Sequence, residues 1–155
     1  MVSLAMTFSL MVSSCRTVSP LPPVDLAAPG WRVEHGQAVW RSSERTPEIA
    51  GELFFALHPD GRAMVQFIKT PLPLVVAQST SNAWQIEFIS EDKAFRGSGN
   101  PPSRIGWLQV SRCLSGMSPG KDWDWRRKDG GRWRLENRRS GEMIEGYLGG
   151  RQRDD

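Results

Sequence analysis

The feature that most constrains this chain is a period of two in its apolar residues. Residues 83–89 read AWQIEFI, which puts Trp84, Ile86 and Phe88 on one side and Gln85 and Glu87 on the other. Side chains alternate faces along a strand but recur every 3.6 residues on a helix, so this run is a half-buried antiparallel strand. The same alternation runs through 51–57 (GELFFAL) and 62–69 (RAMVQFIK), joined by His58-Pro59-Asp60-Gly61. Proline presets one turn dihedral and glycine accepts a positive one, so these two runs form a hairpin. Further strands are expected at 31–41, 74–78, 93–97, 122–127, 132–137 and 142–148, with Lys128-Asp129-Gly130-Gly131 turning between two of them. One segment, 103–114, suits a helix: Ser103 would cap it, Ile105, Leu108 and Cys113 or Leu114 would supply its buried face, and Gly116 would stop it. About nine strands and one helix result. A meander of that length must close or curl to cover its apolar face and manage its edges.

With 155 residues there is room for one domain. A net charge of +3 is too small for a polycation that wraps nucleic acid. The chemistry of most enzymes is also missing. His35 and His58 have no Cys or His neighbour at metal spacing, which argues against a metal site. No nucleophile elbow, phosphate loop or dinucleotide fingerprint occurs, so neither catalysis nor a cofactor is expected. Asp122 and Asp124 share a strand face beside tryptophans, as solvated edge residues do. Residues 126–139 hold seven basic and two acidic residues around Trp133. Two readings stand: a hairpin with a solvated arginine face, or a surface for an anionic partner.

Residues 1–14 carry no charge and end in small residues, which is the size of a secretory apolar region and too short to span a bilayer. Val12-Ser13-Ser14-Cys15 resembles a bacterial lipobox, in which the cysteine is lipidated and becomes the new N-terminus. The expected organisation is a lipoprotein-type signal at 1–14, a lipid-anchored proline-rich linker at 15–30, a β domain at 31–149 and a polar tail at 150–155. Pro20, Pro22, Pro23 and Pro29 favour extended chain in the linker. With Cys15 lipidated, Cys113 stands alone as a small core residue; a Cys15–Cys113 disulfide is the alternative. In lipoproteins of this kind an aspartate after the cysteine retains the protein at the inner membrane, and Arg16 stands there instead.

The order of these pieces resembles the LolA/LolB lipoprotein-carrier family, in particular its lipid-anchored outer-membrane receptors. The matching residues are Gly51-Glu52-Leu53, the Asp60-Gly61 hairpin, MVQFIKTPLPLVVAQ (64–78), Trp107-Leu108, Leu114-Ser115-Gly116 and Trp133-Arg134-Leu135-Glu136-Asn137. The resemblance covers about 31–148. It implies a mainly β fold: an incomplete antiparallel β-barrel of about nine strands with a short helix covering its concave face. It also implies a cavity that holds the acyl chains of lipoprotein cargo or lipids, received from a periplasmic LolA-like carrier and delivered to the outer membrane. Phe55, Phe67, Trp84, Ile86 and Phe88 are the expected cavity wall, the alternative being a filled core. Leu72, between Pro71 and Pro73, is the expected membrane-insertion residue, the alternative being that it tucks inward. Two other classes stay open: an anchored module holding a glycan or anionic envelope polymer through Trp and Arg residues, favoured by exposed Trp31, Trp40, Trp123, Trp125 and Trp133, and a structural envelope lipoprotein.

Overall fold

Each alternating run becomes a strand in the computed structural model, which describes residues 18–149; the apolar run 1–14, Cys15 and the tail 150–155 lie outside the described residues. The strands are β1 (Arg32–Arg41), β2 (Ile49–Leu57), β3 (Ala63–Lys69), β4 (Leu72–Ser79), β5 (Ala83–Phe88), β6 (Lys93–Ser98), β7 (Trp123–Arg127), β8 (Arg132–Asn137) and β9 (Met143–Gly149), with one helix, α1 (Gly106–Leu114), between β6 and β7. They form a single open antiparallel sheet in the order β6-β5-β4-β3-β2-β1-β9-β8-β7. Two meanders, β1 to β6 and β7 to β9, are therefore stitched together where β1 pairs with β9. The expected mainly β, half-barrel-like architecture with a single short helix on its concave face is what the chain adopts.

Residues directly opposite in antiparallel strands share a face. The register places Leu53 opposite Phe67, Phe55 opposite Val65, Val75 opposite Phe88, Ala77 opposite Ile86 and Leu135 opposite Ile144. All of these belong to the helix-covered face, and most are fully buried. The free edges, β6 and β7, carry Lys93, Arg96, Asp124 and Arg126, charges that discourage further strand pairing.

Helix α1 begins three residues later than expected. Ser103 does not cap it: Ile105 is the cap residue and makes no side-chain bond, while the Ser103 carbonyl accepts a hydrogen bond from the Trp123 indole N–H. Pro101-Pro102 and the lack of an apolar residue before Ile105 leave nothing to hold an earlier turn. The helix ends as read, with Gly116 at φ 87° and the Met117 amide donating back to the Arg112 carbonyl.

The proline-rich segment has neither helix nor strand, yet residues 21–31 are held against the domain. The Leu21 amide donates to Gln85 Oε1 at 2.9 Å on the outer face. Trp31 packs on His58 with ring centroids 5.2 Å apart, and the Arg62 guanidinium lies 5.2 Å over the Trp31 ring.

Curling the sheet requires glycine where neighbouring backbones press together. A Cβ on Gly36 would overlap the Tyr147 carbonyl oxygen, and one on Gly146 would overlap that of Gln37. Gly36→Ala is expected to cost about 2 kcal/mol by forcing β1 and β9 apart. Chemical denaturation checks this, and an unchanged midpoint would mean that the strands part freely here.

Candidate functional site

The five expected cavity-wall residues all lie on the helix-covered face. Phe55, Phe67 and Ile86 are fully buried, and Trp84 and Phe88 are half-buried. Between them sits Trp107 of α1, itself fully buried. Its ring stacks on Phe67 at 4.9 Å and 26°, and it meets Trp40 edge-on at 5.8 Å. Trp40 in turn stacks on Phe88 at 6.3 Å. The helix thus presses an aromatic side chain into the middle of the curved sheet. Two indole N–H groups of this core, those of Trp107 and Trp133, are buried with no hydrogen-bond partner. Each such donor costs about 1–3 kcal/mol relative to a satisfied one.

A carboxyl lies at the end of this core. Glu142 Oε1 accepts the Trp40 indole N–H at 3.1 Å. It also sits against the first residue of α1, where a Cβ on Gly106 would come within 2.7 Å of the same oxygen. Burial pushes the Glu142 carboxyl up to about 7, against a smaller downward pull from the Trp40 hydrogen bond. Cys113 lies in the same core, and burial pushes its thiol up to about 11, so at neutral pH it is an unreactive apolar residue.

Leu72 does not tuck inward. It is the first residue of β4, paired with Lys69 across the short Thr70-Pro71 turn, and 65% exposed. Ile89, just past the neighbouring β5, and Phe95, on edge strand β6, are also exposed.

A second feature is on the opposite face. A groove of about 610 Å³ crosses the middle of the sheet. Its floor follows one cross-strand row, Ile68–Glu52–Gln37–Tyr147–Arg132, and includes Val39 and Glu145 from the adjacent row. By alternation these side chains point away from α1, and none of the five expected wall residues lines the groove. Glu52 accepts from the Thr70 hydroxyl at 2.9 Å, and Glu145 is bridged by Arg134 at 3.1 Å.

None of the seven tryptophans is exposed. Trp40, Trp123, Trp125 and Trp133 face the core, with Trp125 stacked on Trp133 at 5.4 Å. The expected tryptophan platform is therefore not presented to solvent. Three of the seven basic residues of 126–139 are paired: Arg126 with Asp124, Arg134 with Glu136 and Glu145, and Arg139 with Asp122. No protein-family model matches the chain, and no curated protein matches it.

Sequence reasoning missed Glu142 and the groove. A lone glutamate before an apolar run carries no signal of burial. A row assembled from five strands has no linear motif.

Proposed function

We propose that this chain is a lipid-anchored envelope protein, held by Cys15, that accepts acyl chains of lipoproteins or lipids on the concave face beneath α1. The observation that carries the reading is the makeup of that face. It is a broad aromatic and aliphatic surface covered by one nine-residue helix, with two buried indole donors lacking acceptors. An acyl chain gains about 0.8 kcal/mol for each methylene it buries. Its ester or amide carbonyl is the acceptor that the Trp107 and Trp133 N–H groups lack. Access requires α1 to lift, because Trp107 now fills the centre. The exposed side chains of Leu72, Ile89 and Phe95 are those that would meet a bilayer as cargo passes to it, which suits an outer-membrane-bound protein supplied by a soluble periplasmic carrier. No covalent step is involved; cargo moves by differences in affinity.

Native mass spectrometry of residues 16–155 with a palmitoylated lipopeptide tests this. A one-to-one complex is expected, weakened at least tenfold by Phe88→Asp with the fold retained. Leu72→Glu should leave that complex intact while slowing transfer to vesicles. A protein that takes up no lipopeptide would sink the reading.

A further inference from the structure

The outer groove is a separate candidate, on the face that the acyl-binding reading does not use. Its volume of about 610 Å³ is that of a ligand site. The floor row crosses β3, β2, β1, β9 and β8, four strand spacings, so it is about 19 Å long. Its two ends are cationic. Lys69 stands at the β3 end, and Lys128 and Arg132 stand at the β8 end. Among the described residues none of these three has an ion-pair partner, whereas most other arginines of β7 to β9 do. The two carboxylates of the floor are already engaged, by Thr70 and Arg134.

Between the ends the lining is neutral or hydrogen-bonding. Tyr147, 41% exposed, offers a flat aromatic face with a hydroxyl, and Gln37 offers an amide that both donates and accepts. A flat ring beside planar polar groups suits the alternating apolar faces and hydroxyl edges of sugars. The bound carboxylates Glu52 and Glu145 disfavour a ligand charged along its whole length but accept hydroxyl donors. We propose that this groove binds a linear anionic oligosaccharide, with acidic groups near its two ends held by Lys69 and by Lys128 with Arg132, and a neutral sugar stacked on Tyr147. Lys69, Lys128 and Arg132 are exposed, so the charge contribution to affinity should fall as ionic strength rises.

Calorimetric titration of the full chain tests the proposal with a tetrasaccharide bearing uronic acids at both ends and neutral sugars between. Saturable one-to-one binding is expected, weakened tenfold or more by Lys69→Glu, by Arg132→Glu and by Tyr147→Ala. Arg104→Glu makes the same charge change at an exposed site outside the groove and should leave binding within about twofold. Lys69→Gln and Arg132→Gln replace any charge-reversal variant that unfolds. No saturable binding, equal binding of the neutral tetrasaccharide, or equal loss in Arg104→Glu overturns the proposal, the last by showing diffuse attraction. Inorganic phosphate binding as tightly as the tetrasaccharide also overturns it, by reducing the groove to a single-anion site.

Discussion

Trp107→Ala is expected to lower the unfolding free energy by about 3–5 kcal/mol. The ring is fully buried, stacks on Phe67 and touches Trp40, which itself leans on Phe88. Removing it empties the space where helix and sheet meet, and a sheet paired strand to strand cannot collapse to refill it. Trp107→Phe separates the ring from its polar atom. Phenylalanine keeps most of the stacking and deletes an indole N–H that has no partner, so the lost volume and the relieved orphan donor partly offset. Its cost should stay below about 2 kcal/mol. Urea denaturation of both variants distinguishes these effects. Equal losses would mean that the indole N–H is satisfied in solution, and a small loss for alanine would mean that α1 does not anchor the core.

The second large effect is a stability that falls as pH rises toward neutrality. Glu142 is held up at about 7 by burial, against an ordinary value of 4.5. Below about 4.5 the carboxyl is protonated in both folded and unfolded chains, and it contributes no pH dependence. Between about 4.5 and 7 the folded chain holds a proton that the unfolded chain has released, so stability declines with rising pH. Above about 7 the folded chain bears a half-buried carboxylate, and a penalty of about 3 kcal/mol applies. Glu142→Gln keeps an oxygen for the Trp40 N–H and removes the charge. At pH 8 the variant should therefore melt roughly 10 °C above the parent, while at pH 4.5 the two should coincide. Asp60 acts in a separate window. Its carboxyl is lowered to about 2, first by the Arg62 backbone amide and then by His58 and the Arg62 side chain, so what it contributes is lost only below about pH 4. Parallel melting curves for parent and Glu142→Gln across pH 5–8 would show that water reaches Glu142 in the folded state.

Strand identity was legible because alternation and turn chemistry act locally. Trp84, Ile86 and Phe88 had to share a face, and Asp60-Gly61 had to turn, whatever the rest of the chain did. The helix was legible from its end at Gly116 but not from its start, because Ser103 is committed to Trp123, a residue twenty positions away. Leu72 shows the same limit. Its neighbouring prolines mark a turn, but whether it projects or tucks inward depends on the β3–β4 register, which shifts between Phe67 and Ile68. The role of Trp107, the burial of Glu142 and the groove all depend on which strands become neighbours in space. The pairing of β1 with β9 decides that, and no local pattern encodes it.

That pairing also governs how the domain assembles. Every other joint in the sheet links strands consecutive in the chain, whereas Arg41 meets Met143 and His35 meets Gly149, partners more than one hundred residues apart. Closing so long a loop carries an entropy cost that no local contact repays in advance. The six-strand and three-strand halves can each zip from their own hairpins, but α1 packs on strands of both, so each half alone leaves part of the helix uncovered. Their union is therefore the step expected to limit the rate of folding. The same line is the natural cleavage plane of the native state, the seam along which the two halves would part first without either losing its own ladders.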